Sequence, residues 1–171
     1  MRIVHLSLSD RQGGAARAAY RLHEALRAAG VASRMLVGAK LSTDPTVELF
    51  QPPRTFGPRL ARVARRIRIV HRLTRYEATR PPGPFIFHAD AAETGPALPA
   101  ALPDADVLHL HWIATFADVP ALLRAVGGRT PIVWTLHDMN PFTGGCHYSG
   151  PCEGYLRACG RCPQLGSTRG R

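Results

Sequence analysis

No run of eighteen apolar residues occurs in this 171-residue chain, which excludes a membrane-spanning helix of ordinary length. Lysine is nearly absent, because Lys40 is the one residue among 22 lysines and arginines that is not arginine. Between Arg59 and Arg75, where arginine is densest, there is no Phe, Trp or Tyr to stack on bases, and no nucleic-acid-binding motif is present. Nucleic acid is therefore not an expected partner. A full G-x-G-x-x-G dinucleotide fingerprint is also missing. The opening residues MRIVHLSLSD hold one arginine, a short apolar run and an acid. That pattern suits a first strand and not a signal peptide, so a cytoplasmic location is expected.

What is present describes one globular α/β domain, with 45% hydrophobic residues and a mean hydropathy of −0.10. The net charge of +10 is concentrated, since residues 54–80 hold nine arginines against one acid, Glu77. A concentrated basic segment suits anionic lipid, nucleic acid or an acidic substrate. The abundance of Ala, Gly, Pro and Arg throughout the chain is equally what a biased genome composition would give.

Taken in order, Ile3 to Leu8 predicts a strand, and Ala15 to Ala29 predicts a helix with Ala15, Ala19, Leu22, Leu26 and Ala29 on one face. Gly30 stands where a C′ glycine ends a helix. Gly13, Gly14 and Ala15 make the turn between them, a strand–glycine–helix opening whose free N–H groups suit an anion. Ser33 to Val37 predicts a second strand, and Val47 to Phe50 a third within the loop 38–53. Gly57 to Arg75 reads as a basic amphipathic helix. Leu60, Val63, Ala64, Ile67 and Val70 gather on one side, and Arg59, Arg62, Arg65, Arg66, Arg68, Arg72 and Arg75 spread over the other. It suits either packing on the sheet with a solvated arginine face or contact with an anionic membrane surface through residues 57–75. Phe85 to His88 predicts an edge strand within a Pro-rich stretch. Asp106 to Trp112 predicts a strand, Ala117 to Val126 a helix closed by Gly127 and Gly128, and Pro131 to Leu136 a buried strand. Alternating strands and helices imply a Rossmann-like parallel sheet flanked by helices.

The chemistry is expected where two strands end in histidine, at His111 and His137, because the carboxyl ends of parallel strands open into one crevice. A lone strand histidine is more often a satisfied core or rim residue, but two on adjoining strands point to a site. Beyond His137 and Asp138 lies a loop, residues 138–167, that holds every cysteine of the chain: Cys146, Cys152, Cys159 and Cys162. Cys159-x-x-Cys162 has metal-ligand spacing, whereas Cys146 and Cys152 are more widely separated than usual. A structural Cys₄ zinc site, with His147 as a substitute ligand, is preferred over free thiols, over disulfides and over a catalytic cysteine.

The run from His137 to Ser167, HDMNPFTGGCHYSGPCEGYLRACGRCPQLGS, resembles a segment of bacterial family 4 glycosyltransferases, especially those of colanic acid and other exopolysaccharide biosynthesis. The resemblance implies the N-terminal, acceptor-side half of a GT-B fold. It implies transfer of a sugar, with retention, from a nucleoside diphosphate sugar to a polysaccharide or lipid-linked acceptor, without a catalytic cofactor. By the same resemblance Gly13, Gly14 and Ala15 correspond to the loop against the donor diphosphate, and His137 lies beside the acceptor and the transferred sugar. Asp138 is expected to orient His137 or bind acceptor hydroxyls, with His111, Trp112 and Asn140 in the acceptor pocket. Residues 1–171 would then form one domain with a basic insertion at 54–80. The C-terminal donor-binding half of the family would be absent, so the chain is expected to be incomplete as an enzyme. The alternative is a non-catalytic binding module with a zinc-stapled loop and a docking basic helix.

Overall fold

The computed structural model describes residues 1–83 and 86–168. Five strands form one all-parallel sheet: β1 (Arg2–Ser9), β2 (Ala32–Ala39), β3 (Val47–Leu49), β4 (Val107–Leu110) and β5 (Ile132–Trp134). Their order is β3-β2-β1-β4-β5, so the chain reverses its direction of travel across the sheet between β1 and β4. The helices are α1 (Gly14–Ala28), α2 (Phe56–Thr74), the single turn α3 (Ala97–Ala100) and α4 (Val119–Val126). This is the expected Rossmann-like arrangement, and its switch point is where open parallel sheets place their ligands.

Alternation along the strands divides the sheet into two unlike faces. On one, Val4, Leu6, Leu108 and Leu110 meet Leu98 and Leu122 of α3 and α4 in the larger apolar core. Asp118 caps α4 by accepting from Ala121 N at 2.9 Å, and Gly127 ends it in the left-handed conformation. The other face packs on α1 and is partly polar, carrying His5, Ser7, Ser33 and His109 among its buried residues. The buried face of α1 is Ala16, Ala19, Tyr20 and His23, not the expected set beginning at Ala15, and Leu22 is exposed. The helix rotates because His23 finds hydroxyl partners on β2 and before β3, so a buried polar side chain outweighs a leucine.

Three further expectations change. β5 is shorter than Pro131–Leu136 and is an edge strand, with Val133 and Leu136 about half exposed, because it pairs with β4 alone. Of the Phe85–His88 island, Phe85 lies outside the described residues. Phe87 forms an isolated antiparallel bridge with Cys146, so this segment pairs with the cysteine loop and not with the sheet.

The larger change concerns α2. No residue of α2 is buried, and Phe56, Leu60, Val63, Ile67 and Val70 are all exposed, by 82, 58, 45, 64 and 49%. Packing of its apolar side on the sheet is therefore ruled out: α3 and α4 already cover the apolar sheet face. What α2 turns toward the body is the opposite side, Arg62, Arg65, Ile69 and Leu73, with the Arg65 guanidinium lying in the space that a side chain at Gly95 would occupy. The outward apolar stripe is flanked by exposed Arg59 and Arg66 on one side and Arg68, Arg72 and Arg75 on the other.

Candidate active site at the carboxyl edge of the sheet

β1 runs into Ser9, whose hydroxyl accepts from the N–H groups of Arg11 and Gln12 at 3.3 and 3.1 Å and so shapes the turn before α1. Gly13 has φ of 90°, a conformation that favours glycine, and leads into Gly14, the first residue of α1. A side chain at either glycine would meet nothing within 4 Å, so the turn is open to a ligand. An open pocket of about 420 Å³ lies there, lined by Gly13, Gly14, Ala15, Ser7, Ser9 and Trp112. The free N–H groups of the helix start give it a positive bias.

Past β4 and β5, successive residues point to opposite sides of the sheet, and the predicted site residues divide accordingly. Trp112, Asp138 and Asn140 come together on one side. Asp138 accepts from Trp112 Nε1 at 2.7 Å, from His147 Nδ1 at 2.6 Å and from the Asn140 amide at 2.9 Å. His147 Nε2 in turn meets His88 Nδ1 at 2.9 Å, and Asn140 donates to the carbonyls of His88 and Gly145. Asp138 thus ties the first turn of the cysteine loop to the end of β4. It spends its oxygens there, not on the ring of His137. Sequence reasoning missed His88 and treated His147 as a spare metal ligand. Its burial between Asp138 and His88 depends on a pairing 59 residues apart, which no local pattern signals.

His111 and His137 come together on the other side, Nδ1 to Nε2 at 3.2 Å. His111 Nε2 meets His5 Nδ1 at 3.1 Å, and His109 Nε2 meets Thr135 Oγ1 at 2.8 Å. Burial, with repulsion from neighbouring imidazoles, pushes His5 and His111 down to about 3. Burial also lowers His109 and His137, against an opposing pull from Asp138 on His137. These rings are neutral near pH 7 and act as hydrogen-bond partners. A neutral His137 can take a proton or a hydrogen bond from a hydroxyl.

The four cysteines are unpaired and all line one small cavity of about 60 Å³ beside Phe87, with Cys159 Sγ accepting from Gly144 N at 3.1 Å. Burial raises Cys146 above the ordinary thiol range. Among the described residues, His5, His109 and His111 form a group whose metal-ligating atoms lie within 4.8 Å of one another.

Comparison with known proteins adds family evidence to this geometry. A family model described as a glycosyl transferase 4-like domain matches residues 13–162, which take in the glycine turn, both histidine strands and the cysteine loop. The chain is 28% identical over 180 residues to an Escherichia coli (strain K12) protein with the provisional name colanic acid biosynthesis glycosyl transferase WcaC. That alignment covers 96% of this chain and 40% of the relative, so the chain spans about two fifths of the length of the protein it matches. No solved structure matches.

The neutral histidines give stability a defined pH dependence. His5 and His111 stay unprotonated down to about 3 in the folded state, whereas the unfolded chain protonates them near 6.5. The unfolded state therefore binds more protons as pH falls, so stability is complete above about pH 7 and declines between about 6.5 and 3. Urea unfolding at pH 5.5 should show a loss of roughly 1 kcal/mol per such histidine relative to pH 7.5. A profile flat across this interval would contradict the buried neutral rings.

Proposed function

Because the chain belongs to the glycosyl transferase 4-like family, we propose that it is the acceptor-side domain of a retaining transferase. It moves a sugar from a nucleoside diphosphate sugar to a polysaccharide or lipid-linked acceptor in cell-surface polysaccharide assembly at the cytoplasmic side. The observation that carries this proposal is an open glycine turn walled by Trp112 at the carboxyl edge of the sheet, where His111 and His137 pair past the ends of the neighbouring strands β4 and β5, all within the region matched to the family. Departure of the diphosphate builds negative charge that a helix start can offset, while positive charge builds on the sugar ring. In this mechanism Gly13, Gly14 and Ala15 face the diphosphate. His137 receives the acceptor hydroxyl, beside His111. Trp112, fixed by Asp138, and Asn140 wall the acceptor side. The C-terminal part of the family architecture supplies most donor contacts. Transfer from a panel of nucleoside diphosphate sugars to a polyprenyl-linked acceptor, by a longer form in which this domain is joined to a donor-binding half, tests the assignment. His137→Ala should lower kcat/KM by about 100-fold or more while unfolding stays cooperative. Unchanged transfer would remove His137 from the reaction.

The exposed stripe of α2 supports peripheral contact with an anionic membrane, where such an acceptor resides. Apolar Leu60, Val63, Ile67 and Val70 face outward between two rows of arginines, the layout of a helix lying in a lipid interface. No described helix is long and apolar enough to cross a membrane. Vesicles containing phosphatidylglycerol should bind the protein, and Ile67→Asp with Arg68→Glu should weaken binding at least tenfold. Equal binding to neutral vesicles would remove the electrostatic part.

A zinc ion in the cysteine loop is the third component. The four thiols line one cavity of about 60 Å³ but no three of their sulfurs lie within 4.8 Å of one another, so zinc would draw them together and tie three segments of a loop that has only short 3-10 turns. His147 is not in that set, being held by Asp138 and His88. Protein purified under reducing conditions should hold one zinc per chain, and chelation should lower its melting temperature. Metal-free protein of equal stability would exclude the site.

A further inference from the structure

A line of hydrogen bonds runs through the polar face of the sheet from the loop before β3 to the site. Thr46 Oγ1 donates to Asp44 Oδ1 at 2.6 Å, and His23 Nε2 lies 2.9 Å from Thr46 Oγ1. His23 Nδ1 is 2.8 Å from Ser33 Oγ, which is 3.1 Å from His5 Nε2. His5 Nδ1 then meets His111 Nε2 at 3.1 Å, and His111 Nδ1 meets His137 Nε2 at 3.2 Å. His5, His23, His111 and Ser33 are all buried, so none can exchange its partner for water.

The direction of every proton in this line follows from its first member. Asp44 is a carboxylate: burial would raise its pKa, but the hydroxyl and amide of Thr46, Tyr20 and Arg27 together hold it below the usual range. It can only accept, so the Thr46 hydrogen is committed to it. Thr46 Oγ1 must then accept from His23, which puts the His23 proton on Nε2 and leaves Nδ1 bare. A bare Nδ1 draws the Ser33 hydrogen, and Ser33 Oγ accepts from His5 Nε2. The same step repeats at His111 and at His137, because a neutral imidazole donates through one nitrogen and accepts through the other.

We propose that Asp44 is a positioning residue for His137: acting through Thr46, His23, Ser33, His5 and His111, it fixes His137 as the Nε2–H tautomer and leaves Nδ1 bare. The nitrogen that can accept from a hydroxyl is thereby set from the opposite edge of the sheet, beside β3. The value of this for sugar transfer rests on the role given to His137 above, whereas the tautomer itself does not. A metal ion held by His5, His109 and His111 is the competing use of the same rings. Held between His5 Nδ1 and His111 Nε2, it would need both nitrogens bare and would reverse the proton at His137.

Nitrogen-15 NMR of ring-labelled protein at pH 7.5 reads both features. The expected result is a proton on Nε2 of His137, with scalar coupling across the N–H···N bonds from His111 Nε2 to His5 Nδ1 and from His137 Nε2 to His111 Nδ1. Asp44→Ala frees the Thr46 hydroxyl to donate to His23, which permits the whole line to run in reverse, so His137 should become a mixture of tautomers. Asp44→Asn, whose carbonyl oxygen still accepts from Thr46, should restore the single tautomer. Ser33→Ala cuts the line without touching Asp44, and in that background Asp44→Ala should have no further effect on His137. A proton on Nδ1 of His137 in the unaltered protein would overturn the proposal, as would a signal indifferent to Asp44→Ala in a folded protein or coupling abolished by bound zinc as purified. An intact tautomer line together with undiminished transfer by His137→Ala in the longer form would leave the proposal standing and remove the role of His137 in transfer.

Discussion

Ser33 Oγ has one hydrogen to give and two buried imidazoles to satisfy, His23 and His5. That shortage orders much of the structure around it. A polar group buried without a partner costs roughly 1–3 kcal/mol, so the hydroxyl has to lie between the two rings and the rings have to agree on which of them donates. α1 is consequently turned to bring His23 inward at the expense of Leu22, and β1, β2 and β4 present His5, Ser33, His109 and His111 on one face. An apolar face on the far side of the same sheet supplies the larger core. The fold thus has one face for stability and one for a defined pattern of protons.

The same division places the site. Because β4 sits next to β1 at the switch in strand order, the chain just past it brings Trp112 beside the turn that opens α1 and His111 against His5. One residue further along, the chain faces the opposite way. His111 therefore joins the histidine line and Trp112 joins Asp138. The cysteine loop is anchored through Asp138, His147 and His88, so the loop and the sheet edge form a continuous hydrogen-bonded rim.

Much of this was legible in the sequence. Apolar runs ending in histidine marked β4 and β5, the paired glycines marked the turn before α1, and the alternation of elements marked the parallel sheet. The pairing of His111 with His137 follows the two strand endings in histidine, which adjoin in the sheet. What could not be read were partners distant in sequence. His5 and His23 look like incidental members of a strand and a helix until the sheet brings Ser33 between them. The outward turn of α2 was hidden for a related reason, since periodicity defines an apolar side but not what is available to cover it. His88 sat in a Pro-rich stretch whose pairing with Cys146 and Gly145 is purely tertiary.

Neutron diffraction from a deuterium-exchanged crystal near pH 7.5 would test the account most directly, because it sees the hydrogen positions that everything here depends on. Deuterium is expected on Nε2 of His23, His5, His111 and His137, with the Ser33 hydroxyl pointing to His23. Deuterium on Nδ1 of any of the four, or a metal between His5 and His111, would contradict it.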